Sequence, residues 1–86
     1  MMQDEEIQVL TELGLTSLQA KVYLALSILG ETTAGKIAAL SKIARQEVYR
    51  IIDQLVEIGL VSKIVAAPTK FQPLPFSDGT SILLER

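Results

Sequence analysis

Residues 32–71 read TTAGKIAALSKIARQEVYRIIDQLVEIGLVSKIVAAPTKF, and their punctuation decides the fold. Thr33 is a suitable N-cap for a short helix over about 34–40, with Ile37, Ala38 and Leu40 as its apolar positions and Lys36 facing outward. Ser41 to Ala44 has room only for a turn, and Ile43 within it is placed to plug the angle between two helices. From Arg45 to Ile58, at about 100° per residue, Val48, Ile51, Ile52, Leu55 and Ile58 fall on one face. Gln46, Tyr49, Arg50, Asp53 and Glu57 fall on the other, and Gly59 closes the helix. Leu60 to Ala66 is β-rich, Pro68 and Thr69 mark a turn, and Lys70 to Leu74 returns as a second strand. Pro73 and Pro75 confine that strand to an edge. Helix, turn, helix and ribbon in this order predict a fold that is mainly α with a small β-hairpin wing, a winged helix-turn-helix.

Outward from this stretch the signals are helical. A first helix is expected over about 4–13, with Ile7, Leu10, Val9 and Leu13 on its apolar side and Asp4, Glu5 and Glu6 in the first turn, where acids suit the helix dipole. Gly14 stops it. Thr16 opens a second helix over about 17–29, and Gln19 completes a capping box. Leu18, Val22, Leu26 and Leu29 form its stripe, which Ala25 widens, and Tyr23 reads as packing. Gly30 ends it. The wing strands are expected over about 60–66 and 70–74, and a terminal helix over about 77–86 with Ser77 as its cap. Ile82, Leu83 and Leu84 make that helix greasy enough to pack on the first helix, to serve in a dimer, or to lead into further chain. The 86 residues read as one small domain.

Composition excludes more than it includes. There is no Cys and no His, which removes disulfides, thiolate sites, His-based acid–base catalysis and nearly all zinc chemistry. No glycine-rich phosphate loop, metal-ligand spacing or nucleophile beside a base is present, so neither an enzyme nor a cofactor is expected. Apolar residues make up 49% of the chain, with two Tyr, two Phe and no Trp. The core is therefore aliphatic, and a short chain this apolar favours self-association. No apolar run reaches membrane-spanning length, and the acidic start is unlike a signal peptide, so a cytoplasmic protein is expected.

The net charge of −2 argues against a polyanion partner until its distribution is considered. Between Lys36 and Lys70 six cations face three anions, whereas the rest of the chain sets two cations against seven anions. Local field attracts a polyanion, and the cationic segment coincides with the helix-turn-helix. The exposed face of the 45–58 helix is cationic and hydrogen-bonding in its N-terminal half and acidic beyond it, the direction a DNA recognition helix requires. Arg50 and Gln46 suit guanine and adenine edges. Arg45, Lys42 and the Tyr49 hydroxyl suit phosphates. Thr33 and Lys36 could touch the backbone where the preceding helix crosses it, and Lys63 and Lys70 could hold neighbouring phosphates from the wing. Each has a plainer reading as a solvated charge, Tyr49 as packing at the core edge, and Arg50 as the partner of Asp53 or Glu47. Gly35 reads as close packing or backbone approach.

The segment LGLTSLQAKVYLALSILGETTAGKIAALSKIARQEVYRIIDQLVEIGLVSKI, followed by PTKFQPLP, resembles the N-terminal winged-helix domain of the TrmB family of transcriptional regulators, mostly archaeal. The resemblance runs from about Leu13 to Pro75. It is carried by the LGLT start with Ala20, Tyr23 and Leu24, by Arg45, Val48, Tyr49, Ile52 and Leu55 before Gly59–Leu60–Val61, and by Pro68, Lys70 and Phe71 in the wing. The chain departs from the family's usual Gly in the turn and Pro before the recognition-helix Arg, with Lys42 and Ala44 in those places. The resemblance implies a homodimer on a pseudo-palindromic operator of double-stranded DNA, with the Val48–Tyr49–Arg50 helix in the major groove. Two-fold symmetry would set the two recognition helices about 34 Å apart. Larger members carry a C-terminal sugar-binding domain, for which this stretch has no room, so no small-molecule effector is identifiable. The expected function is sequence-specific regulation of transcription. The alternative is a winged helix that binds proteins within a transcription or assembly complex. A DNA-processing enzyme would need a carboxylate cluster, for which Asp53 and Glu57 are the candidates.

Overall fold

The computed structural model describes residues 2–86, with side chains from residue 4 onward, so Met1 lies outside the described residues. Its elements are α1 (Met2–Glu12), α2 (Ser17–Leu29), α3 (Ala34–Ser41), α4 (Arg45–Ile58), β1 (Val61–Ile64), β2 (Lys70–Pro73) and α5 (Phe76–Leu84). This is the winged helix-turn-helix order, five helices and a two-stranded antiparallel hairpin. Among the described residues no helix is long and apolar enough to cross a membrane.

α2 runs through the middle. Thr16 Oγ1 accepts the Gln19 backbone N–H at 3.0 Å, and Gln19 Oε1 accepts the Thr16 N–H at 2.9 Å, so two otherwise orphaned donors are satisfied at once. Gln19 Nε2 also donates to Gln54 Oε1 at 2.9 Å, tying the start of α2 to α4. The expected stripe is too narrow for this helix. Ala20 and the whole run Val22–Leu26 are buried, whereas Leu18 and Leu29 stay exposed. α1, α3, α4 and β2 all pack on α2, so burial covers more than one face in its middle, while Leu18, Lys21, Ile28 and Leu29 stay exposed together.

Tyr23 is fully buried and donates its hydroxyl to the Leu74 carbonyl at 2.6 Å. Burial, helped by the Asp78 charge, holds this phenol above its ordinary pKa. α5 packs against the same ring. A Cβ added to Gly79 would stand 2.5 Å from the Tyr23 hydroxyl and 3.2 Å from Leu60, so this helix approaches only as glycine allows.

Element ends differ from the sequence expectation for local reasons. α1 begins at Met2 and stops at Glu12, before Gly14 turns with φ 115°. Val9 of α1 is exposed while Leu10 is buried. α3 extends to Ser41 because the Lys42 N–H still reaches the Ala38 carbonyl, at 2.9 Å. Leu40, expected on its apolar side, is exposed on the rim of a groove beside Ile7 and Ile28. Leu60 leaves β1 because its N–H bonds back to Leu55, completing the end of α4. Residues 65–69 form the turn, which ends β1 at Ile64, and β2 starts at Lys70 as expected but stops at Pro73, one residue short. α5 starts at Phe76, with Pro75 in the cap position, so Ser77 lies inside the helix and does not cap it.

α4 carries the sharpest amphipathic division. Val48, Ile51, Ile52 and Leu55 are buried, and Ile58 and Ile43 lie partly buried against the same core. In the hairpin, Val61 pairs with Pro73, Ser62 with Gln72, Lys63 with Phe71 and Ile64 with Lys70. Thr32 adds a one-residue third strand. Its N–H donates to the Phe71 carbonyl at 3.0 Å, and the Phe71 N–H donates back at 2.7 Å. These two bonds fasten the wing to the segment just before α3.

Candidate nucleic-acid interface

The candidate surface is the exposed side of the α3–turn–α4 unit with the wing beside it. Its shape follows from the buried side. Once Val48, Ile51, Ile52 and Leu55 face the core, helical geometry sends Arg45, Gln46, Tyr49 and Arg50 to solvent, and all four are exposed.

The long side chains at the start of α4 are held by neighbours on the same helix. Arg50 forks onto Glu47, its Nε donating to Oε1 at 2.6 Å and its Nη2 to Oε2 at 3.1 Å. Of the two partners the sequence allows, the structure selects Glu47. Helical side chains lean toward the N-terminus, so a long arginine reaches back one turn. The hydrogen bond from Arg50, more than its charge, holds the Glu47 carboxyl below its ordinary pKa, against a smaller upward pull from desolvation. The same bond raises the Arg50 guanidinium. Arg45 places its Cζ 5.9 Å from the Tyr49 ring centroid, a cation–π distance between residues one turn apart. The Arg45 guanidinium also lies over Gly35, where an added Cβ would meet it at 3.8 Å. That is ordinary contact, so Gly35 eases this approach but is not required for it.

The preceding helix and turn place the next set. Thr33 is half-buried and caps α3, accepting the Lys36 N–H at 3.4 Å. Lys36 and Lys42 are exposed. Lys42 sits at the C-cap with φ 61° and ψ 30°, in the left-handed region that glycine tolerates best. Ala44, at φ −56° and ψ 140°, caps α4 without a side-chain hydrogen bond. That backbone is one a proline could adopt.

The wing separates its two lysines. Cross-strand partners share a face and neighbours alternate, so Lys63, opposite Phe71, and Lys70, opposite Ile64, lie on opposite faces of the ribbon. Lys70 is half-buried, and its Nζ stands 4.0 Å from a Glu31 carboxylate oxygen. Neither the Glu31 pair nor the Arg45–Tyr49 contact was anticipated from the sequence. The second has a local signal, an arginine and an aromatic four positions apart, but the first depends on the chain returning through Thr32. The surface thus brings Arg45 to Tyr49 and Arg50 to Glu47, while Lys63 and Lys70 stand apart.

Comparison with known proteins agrees with this architecture. A family model described as sugar-specific transcriptional regulator TrmB matches residues 10–77. Among solved structures, TrmBL2, described as an archaeal chromatin protein with a novel mode of DNA binding, superposes with a TM-score of 0.88 at 21% identity. That match covers 99% of this chain and 33% of TrmBL2. A MarR family transcriptional regulator from Silicibacter pomeroyi matches with a TM-score of 0.73 at 27% identity, over 95% of this chain and 54% of that one. The oxidised form of MarR from E. coli matches with a TM-score of 0.71 at 19% identity, over 98% and 62%. This chain therefore spans between a third and two thirds of these structures. No curated protein matches it. The family is one of transcription regulators, not of enzymes, and the MarR structures share its fold.

Proposed function

The chain belongs to the TrmB family, and from that premise we propose that residues 1–86 form a single domain that binds double-stranded DNA sequence-specifically and regulates transcription. In this reading it acts as a cytoplasmic homodimer, in keeping with a mostly archaeal family, with α4 in the major groove and the wing on the backbone. The observation that carries it is the division of α4: one side is buried by four aliphatic residues, and the other presents Arg45, Gln46, Tyr49 and Arg50 to solvent at its N-terminal half. That half is the part of a recognition helix that meets base edges.

Roles follow from residue chemistry. Arg50 and Gln46 read bases, and Arg45, Lys42 and the Tyr49 hydroxyl hold phosphates. Thr33 and Lys36 meet the backbone beside α3, although the Thr33 oxygen is engaged as a cap. Lys63 and Lys70, on opposite faces of the ribbon, would serve different phosphates, and Lys70 exchanges Glu31 for its phosphate on binding. Exposed Val9 of α1, Leu18, Ile28 and Leu29 of α2, and Leu84 of α5, the last 71% exposed, support self-association through these helices. The DNA binding stated for TrmBL2 supports the choice of partner.

The test is charge reversal. Arg50→Glu combined with Lys70→Glu is expected to abolish high-affinity binding to a selected duplex, followed by fluorescence anisotropy. Log affinity of the unaltered chain should fall linearly with log salt, by about 0.9 for each phosphate neutralised. Weak binding that neither the variants nor salt alters would sink the proposal in favour of a protein-binding winged helix. Sedimentation equilibrium of the chain and of Leu84→Asp tests the homodimer.

A further inference from the structure

Glu47 places an anion in the N-terminal half of α4, on the side proposed to meet a polyanion. By charge alone it opposes the approach of phosphates. Its geometry suggests what offsets this. The fork from Arg50 engages both carboxylate oxygens, at 2.6 and 3.1 Å, and fixes the plane of the guanidinium. A guanidinium carries five N–H groups. The fork uses the one on Nε and one of the two on Nη2. Both N–H groups of Nη1 and the second of Nη2 remain. The distal Nη1–Nη2 edge therefore keeps two parallel donors, the arrangement that matches O6 and N7 of guanine.

The plainer account is an exposed ion pair one turn long, with an acid near a helix start, stabilising the helix and nothing more. One observation favours a further role: both arginines of this helix are held by side chains of the helix itself, Arg45 on Tyr49 and Arg50 on Glu47, on the side turned to solvent.

We infer that Glu47 is a positioning residue for Arg50, holding its guanidinium so that the free edge reads one guanine in the major groove. Glu47 then sets base preference at that position without touching the base, and it reduces the side-chain freedom that Arg50 loses on binding. The inference deepens the DNA-binding proposal and rests on it.

Selection from a library of randomised duplexes, read by sequencing, tests both with the purified chain, Arg50→Ala, Glu47→Gln and the double variant. Circular dichroism checks that these exposed-site variants stay folded. The unaltered chain should enrich a motif, and Arg50→Ala should flatten one guanine position in it. Glu47→Gln should narrow the preference at that same position about tenfold. Its binding to random-sequence duplex should tighten, because a negative charge has gone. The double variant should lose no more preference than Arg50→Ala.

Three outcomes overturn the inference while leaving the DNA-binding proposal standing. In the first, Glu47→Gln tightens binding to all sequences alike with the guanine preference intact. In the second, it relaxes a separate cytosine position, since a carboxylate accepting from cytosine N4 would itself be the reader. In the third, Arg50→Ala leaves the motif unchanged. If the unaltered chain binds no duplex or enriches no motif, the sequence-specific DNA proposal fails and the inference falls with it.

Discussion

Between α1 and α2 the chain turns on Gly14 and enters the next helix through Thr16; between α3 and α4 it turns on Lys42 and enters through Ala44. The first junction follows every local preference. Gly14 takes φ 115° without a side chain to strain, and Thr16 and Gln19 satisfy each other's backbone donors. The second departs from the same preferences. Lys42 holds φ 61° as a non-glycine residue, and Ala44 offers α4 no side-chain acceptor. Local rules are broken where a sequence does something besides fold. Here the departure adds a cation at the turn before the proposed reading helix, while the well-capped junction lies in the part of the chain with no proposed DNA contact.

Four substitutions can break or sharpen this contrast, each read as a thermal midpoint shift of about 4–8 °C per kcal/mol for a domain of this size. Gly14→Ala forces an L-residue into the left-handed region and should destabilise the chain by about 1–2 kcal/mol. Thr16→Ala removes half of the capping box and should cost about 1 kcal/mol. At the other junction the signs reverse. Ala44→Ser supplies the missing acceptor and should stabilise by about 0.5–1 kcal/mol, with little effect on affinity for duplex DNA. Lys42→Gly relieves the positive φ and should stabilise by about 0.5 kcal/mol, the gain being reduced by glycine's freedom in the unfolded chain. The same variant should flatten the slope of log affinity against log salt by about 0.9 if Lys42 neutralises one phosphate. A Lys42→Gly chain that is more stable and binds with an unchanged slope would remove the functional reading of the junction.

What could be read from the sequence differs sharply between helices. The sides of α4 were legible because its apolar positions recur at helical spacing over fourteen residues. α2 was not legible in the same way: Val22, Tyr23, Leu24, Ala25 and Leu26 are consecutive and all buried, so periodicity carries no information about which neighbour each one meets. The candidate surface divides likewise. Arg45, Gln46, Tyr49 and Arg50 emerge together from the same periodicity that buries Val48 and Ile52. The wing lysines did not, because a strand's facing is set by its partner's register and shifts wholly with one residue of slip.

By itself the sequence determined what acts within a turn or two of chain: the Thr16–Gln19 capping box, the Thr33 cap, the stops at Gly30 and Gly59, and the two-sided character of α4. Such features depend on hydrogen bonds and side-chain spacing between residues a few positions apart, so the order of residue types suffices to find them. Only the tertiary structure decided that Tyr23 reaches the Leu74 carbonyl, that Gly79 brings α5 onto that ring, that Thr32 pairs with Phe71, and that Lys63 and Lys70 face opposite ways. Each of these joins residues on different elements through packing or strand register, and no local spacing specifies which distant partner will meet which. The turn at Lys42 belongs to both accounts. Its place in the chain was legible, but its left-handed backbone becomes definite only where α3 and α4 pack against α2.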